Sequence, residues 1–144
     1  MRTVPIGIAM MNDARPHVIA QNEELNMQVL NRWADIIRKG VRNVDGTAPE
    51  VVVGSETIKS VRTAQAVGEQ LRRAGCRIVI MCYNVWNFPY LVWPFYNSVG
   101  RDVPVLSLSN NNGQFPGNVG LLATDGALRQ AGVRTHRIVG RSEE

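Results

Sequence analysis

The chain has 144 residues, with 16 Lys plus Arg against 12 Asp plus Glu, a formal net charge of +4 and 44% hydrophobic residues. This length suits one domain with a core of its own and falls well short of the roughly 250 residues of a (β/α)₈ barrel. At 19% charged residues, with arginines scattered instead of gathered in a run, the composition argues against disorder and gives no footprint for nucleic acid.

In chain order, the apolar run Val4 to Met10 predicts a first strand buried on both faces and broken by Asn12-Asp13-Ala14-Arg15-Pro16. It lacks the apolar region and cleavage site of a secretory leader. No stretch approaches 18 apolar residues, so no membrane association is expected and the location implied is the cytoplasm. From about Val18 to Lys39, Leu25, Val29, Trp33 and Ile36/Ile37 recur at helical spacing, with Leu30 beside the stripe. Glu50 to Gly54 predicts a second strand. Ser55 is expected to cap the next helix, with an inner stripe of Ile58, Val61, Ala64/Gln65, Val67/Gly68 and Leu71 and a stop at Gly75.

Arg77 to Cys82 predicts a third strand. Along it, Cys76 and Cys82 stand about 20 Å apart at roughly 3.3 Å per residue, too far for a bridge. Two buried thiols in a reducing compartment are expected. The segment Trp86 to Tyr96 holds Trp86, Phe88, Tyr90, Leu91, Val92, Trp93, Phe95 and Tyr96 within eleven residues. It reads either as a self-association surface or as a short, fully buried helix. Val103 to Leu108 predicts a fourth strand, with Pro104 tolerated near its start. Pro116 to Gln130 predicts a helix despite Gly117, Gly120 and Gly126, with Gly132 at its end, and Arg134 to Val139 supplies a fifth strand.

Strands alternating with helices imply right-handed βαβ units, a parallel sheet and a three-layer, doubly wound α/β fold. The expected topology is the flavodoxin-like order 2-1-3-4-5, in a single domain over residues 1–140. Residues 141–144 read as a polar tail or a domain boundary.

Ligands of such sheets bind outside the carboxyl ends of the strands. Three loops should meet there: Met11 to His17, Tyr83 to Tyr90, and Ser109 to Gly117. Their amides donate and accept hydrogen bonds, and their rings can cover the C–H face of a sugar, so they suit a polyhydroxylated ligand. Other chemistries lack their signatures. There is no G-x-G-x-x-G, Walker loop or G-x-S-x-G. His17 and His136 are the only histidines, and Asp13 with His17 makes a poor metal site. Glu23 and Glu24 read as compensation of a helix dipole. The stretch Glu69 to Arg73 reads as a solvated face.

At these loops the sequence resembles the amino-terminal α/β domain of the fucose/arabinose isomerase family. The stretches that carry the resemblance are Ile6-Gly7-Ile8 running to Asp13-Ala14-Arg15, and Tyr83-Asn84-Val85-Trp86-Asn87-Phe88-Pro89. The third is Ser109 to Gly120, continuing to Gly126-Ala127-Leu128 and Gly132. The resemblance implies aldose–ketose interconversion through an ene-diol in a homo-oligomeric enzyme, with manganese or another divalent metal bridging two sugar oxygens. It also implies that the metal ligands lie in later, carboxy-terminal domains, so no cofactor and no catalytic group is assigned to this chain. Trp86 matches an aromatic reaching a monosaccharide pocket in a neighbouring subunit, and Arg15 matches an arginine near it. Asn111 and Gln114 are substrate-binding candidates by position. On this reading the isolated chain is inactive. The alternative is a stand-alone flavodoxin-like binding or interaction module without catalysis.

Overall fold

The computed structural model describes residues 4–111, 115 and 117–140. Five strands alternate with helices: β1 (Ile6–Met11), α1 (Pro16–Gly40), β2 (Val51–Val53), α2 (Val61–Arg73), β3 (Ile78–Tyr83), α3 (Val92–Val99), β4 (Val105–Asn110), α4 (Gly117–Gln130) and β5 (Thr135–Gly140). All pairings are parallel, in the order β2-β1-β3-β4-β5. This is the flavodoxin-like arrangement expected from the sequence.

The interior strand β1 shows why. Ile8 and Met10 point to one face, where they meet Leu30, Trp33 and Ala34 of α1 together with Ile80 and Cys82. Ala9 and Met11 point to the other, where they meet side chains of α2, α3 and α4, among them Val67, Phe95 and Leu121. A strand covered on both sides has no polar face, which is why it reads as an unbroken apolar run. Cys76 and Cys82 are buried free thiols, and burial raises the pKa of both. Among the described residues no helix is long and apolar enough to cross a membrane.

Two local expectations are corrected. Ser55 does not cap α2; Ser60 does, in a capping box in which its hydroxyl accepts from Thr63 N–H at 3.1 Å and Thr63 Oγ1 accepts from Ser60 N–H at 3.0 Å. Ile58 is not on the helix either. Its N–H donates to the Met10 carbonyl at 2.8 Å, and its own carbonyl accepts from Asn12 N–H at 2.9 Å. This bridge to the end of β1 holds the backbone around Ile58 extended, so the helix starts later. Val61, expected on the inner stripe, is exposed.

The aromatic segment divides. Leu91, Val92, Phe95, Tyr96 and Val99 are buried in and around α3, behind a 3₁₀ turn at Pro89–Leu91. Trp86, Phe88 and Tyr90 remain at the surface.

Candidate functional site

Because every strand is parallel, the exits of β1, β3 and β4 share one edge of the sheet. At the exit of β1, Asn12 and Asp13 are fully buried. The Asn12 side-chain carbonyl accepts from Asp13 N–H at 2.8 Å, and its amide donates to Glu23 Oε2 at 2.9 Å and Thr57 Oγ1 at 3.2 Å. Thr57 Oγ1 also donates to Glu23 Oε2 at 2.6 Å, and Lys59 Nζ lies 2.6 Å from Glu23 Oε1. Burial raises the Glu23 pKa, but the Lys59 ammonium and the donors Thr57 and Asn12 outweigh it, so the carboxyl stays below its ordinary range.

Asp13 holds Arg15. Its Oδ1 accepts from Arg15 N–H at 2.8 Å and from Nε at 3.0 Å, and its Oδ2 accepts from Nη2 at 2.6 Å. The Asp13 side chain is 1% exposed and the Arg15 side chain 53%, so the pair is rooted inside and presented outside. The guanidinium hydrogen bonds hold Asp13 below the usual carboxylate range, against the opposing effect of burial. Arg15 also stands over Phe88, 6.0 Å from the ring centroid.

Beyond β3 the chain bends at Asn84 and Val85, and from Val85 to Phe88 burial alternates. Val85 and Asn87 point inward and are buried, whereas Trp86, Phe88 and Tyr90 are partly or largely exposed. Trp86 and Phe88 meet edge to face at 6.1 Å and 77°, and Phe88 meets Tyr90 at 6.0 Å. Arg15, Phe88, Trp86 and Tyr90 therefore form one continuous surface. It is a cation flanked by a row of rings.

Beneath it runs a line of buried amides. Asn84 Nδ2 donates to Asn26 Oδ1 at 2.8 Å, and Asn110 Nδ2 donates to Asn84 Oδ1, tying α1, β3 and β4 together. Asn87 Nδ2 donates to Thr124 Oγ1 of α4 at 2.7 Å. The helix can come this close only through glycine. A Cβ at Gly117 would stand 2.6 Å from the Tyr83 carbonyl oxygen. One at Gly120 would stand 2.9 Å from the Val85 carbonyl oxygen and closer still to Asn87 Oδ1.

Arg15 and Trp86 thus come together through Phe88. Asn111 lies on the same edge, but its hydrogen bonds run to β5 and α4: its N–H donates to the Gly140 carbonyl at 2.7 Å and its Oδ1 accepts from Asn118 of α4 at 3.1 Å. Gln114 lies outside the described residues. Sequence reasoning missed Phe88 as the link, Asp13 as the anchor and the Glu23–Thr57–Lys59 cluster. The Asp13–Arg15 spacing of two residues was an available local signal, whereas residues 34 and 36 positions from Glu23 left none.

The donors present do not fit a divalent cation. Asp13 is taken by Arg15, Glu23 by Lys59, and Asp125 by Arg129 and Arg137. Among the described residues no three His, Cys, Asp or Glu side chains converge as a ligand set. Residues 3–144 match the family model described as L-fucose isomerase, first N-terminal domain. No curated protein matches the chain.

Proposed function

The chain belongs to the family of L-fucose isomerase first N-terminal domains, and from that premise we propose that it supplies a substrate-pocket and assembly surface to a metal-dependent aldose–ketose isomerase. The observation that carries this reading is the Arg15–Phe88–Trp86 surface at the carboxyl edge of the sheet. A half-buried indole offers a flat apolar face for the C–H side of a monosaccharide ring. Arg15, already oriented by Asp13, has donors left for sugar oxygens. Asn111 and Gln114 extend the polar rim toward β5.

Moving a proton between adjacent carbons needs a base, and the Asp13 and Glu23 carboxylates are committed to cations. The reacting groups and the ligands of manganese or another divalent metal therefore belong to other polypeptide, and this surface binds and orients. A pocket completed by a second subunit in a cytoplasmic homo-oligomer fits an aromatic row that faces outward from its own domain.

The isolated chain is expected to show no aldose–ketose turnover. In the assembled enzyme, Trp86→Ala should weaken substrate binding by about 1–3 kcal/mol, roughly 5- to 150-fold in KM, with metal content unchanged. Turnover by the isolated chain, or an unaltered KM in the variant, would overturn the reading.

A further inference from the structure

Between α4 and β5 lies a cluster of charges that the proposed function does not use. Along α4, Leu122, Asp125 and Arg129 recur at helical spacing and share the flank that faces β5. Gly120 and Thr124, which meet Val85 and Asn87, lie on another flank. On β5, Thr135, Arg137 and Val139 alternate onto the side that faces α4.

Asp125 is the root of the cluster, with a side chain only 2% exposed. Its Oδ1 accepts from Thr135 Oγ1, and its Oδ2 lies 2.9 Å from Arg129 Nε and 3.4 Å from Arg137 Nε. Arg129 is held further, since its Nη2 donates to the Thr135 carbonyl at 3.2 Å. Two guanidiniums therefore share one carboxylate oxygen, and like charges held this close repel each other. The carboxylate balances one of them, so a positive charge is left over among the described residues. That charge falls to Arg137, whose contact is the longer one and whose side chain is 42% exposed.

Arg137 also forms part of a groove. With Leu121, Leu122 and Val139 it lines about 300 Å³ between α4 and β5, the lower end of the roughly 300–1,000 Å³ typical of small-molecule sites. Leu122 and Val139 are exposed, and Arg137 is the only charged residue among the described ones in the lining.

We propose that this groove binds a small organic phosphate, its phosphate on Arg137 and its carbon body between Leu122 and Val139. Charge and shape select this class together. A cation is repelled by the guanidiniums. A neutral apolar molecule leaves the spare charge unbalanced, and inorganic phosphate leaves the apolar walls wet. Asp125 engages Arg137 through Nε, so both Nη groups remain for phosphate oxygens, an arrangement that suits the planar guanidinium fork. Neither Arg15 nor Trp86 takes part, so the site stands or falls independently of the sugar surface.

The test titrates the 144-residue chain with phenyl phosphate, inorganic phosphate and benzyl alcohol, followed by calorimetry and backbone NMR. Phenyl phosphate should bind saturably with Kd of about 1 mM or below, and the other two at least about tenfold more weakly. Its shifts should centre on Leu122, Arg137 and Val139. Arg137→Gln should weaken it about tenfold or more, while Arg129 keeps Asp125 paired. Leu122 is exposed, so Leu122→Glu leaves the core intact and decides the matter if Arg137→Gln fails to fold. It should abolish phenyl phosphate binding by placing a carboxylate in the groove. No saturation by about 10 mM overturns the proposal, as does equal affinity for inorganic phosphate. So does binding that survives Leu122→Glu, or shifts centred on Arg15.

Discussion

One substitution made twice in α4 tests whether the helix positions the aromatic loop. In a helix interior Ala is favoured over Gly by about 0.8–1.0 kcal/mol. At Gly126 a new Cβ meets nothing within 4 Å, so Gly126→Ala should stabilise the protein by about 1 kcal/mol. At Gly120 the same methyl would stand 2.9 Å from the Val85 carbonyl oxygen and closer to Asn87 Oδ1. Val85 is backbone and Asn87 is held by Thr124 at 2.7 Å, so the helix itself must lift. Overpacking of this kind costs about 1–3 kcal/mol, and loosening the Asn87–Thr124 hydrogen bond costs about 1 more. Against the propensity gain, Gly120→Ala should destabilise by about 1–3 kcal/mol, which separates the two variants by about 2–4 kcal/mol. Urea unfolding measures both, with unchanged m values expected. In thermal scans the pair should differ by about 8–16 °C, at roughly 4 °C per kcal/mol for this size. Agreement of the two within about 0.5 kcal/mol would show that α4 does not depend on its close approach to Val85 and Asn87.

The other expectations concern α2, acid stability and ligand binding. Ser60→Ala should cost about 1 kcal/mol in urea unfolding while Ser55→Ala stays within about 0.5 kcal/mol, and the reverse ranking would restore Ser55 as the cap. Asp13 and Glu23 both have folded pKa values below their ordinary ones, so their contribution is present above about pH 5 and lost as pH falls through the folded values. Asp13→Asn should lower stability at pH 7 and flatten the fall between about pH 5 and 2; an unchanged acid limb would refute the Arg15 assignment. Monosaccharide titrated onto the isolated chain should shift the NMR resonances of Trp86 and Arg15 before those of Asn111, whose hydrogen bonds run to Gly140 of β5 and Asn118 of α4. Shifts centred on Asn111 alone would move the site.

The order of elements was legible because a parallel sheet between helix layers writes itself as apolar runs separated by amphipathic stripes. Ile78-Val79-Ile80-Met81-Cys82 needs no partner to be recognised. The start of α2 was not legible for a long-range reason. Whether Ile58 joins the helix is decided by Met10 and Asn12, which lie nearly 50 residues earlier and hold it in a bridge. Local capping chemistry pointed to Ser55, but the bridge keeps the chain through Ile58 off the helix and leaves Ser60 as the cap.

The site divides along the same line. Strand exits in a parallel sheet share an edge, so the sequence could name the three loops, and the family resemblance singled out Arg15 and Trp86 within them. It could not pair Asn84 with Asn26, 58 positions away, or Glu23 with Lys59. One signal was present and unused. In Val85-Trp86-Asn87-Phe88 the large rings alternate with a small apolar residue and an amide, at a period of two. Pro89 reinforces it, since the residue before a proline is driven to extended backbone, and Phe88 has φ −85° and ψ 124°. In an ordinary half-buried strand the rings would turn inward. Here Val85 and Asn87 are the buried members, Asn87 Nδ2 donating to Thr124 Oγ1 while Gly120 comes close to the side chain, and the rings are turned out. An aromatic row held outward by a hydrogen-bonded amide requires the fold to bury a polar group in order to expose apolar ones. The substrate-pocket and assembly role proposed above would give that arrangement a purpose, because it would cover Trp86, Phe88 and Tyr90.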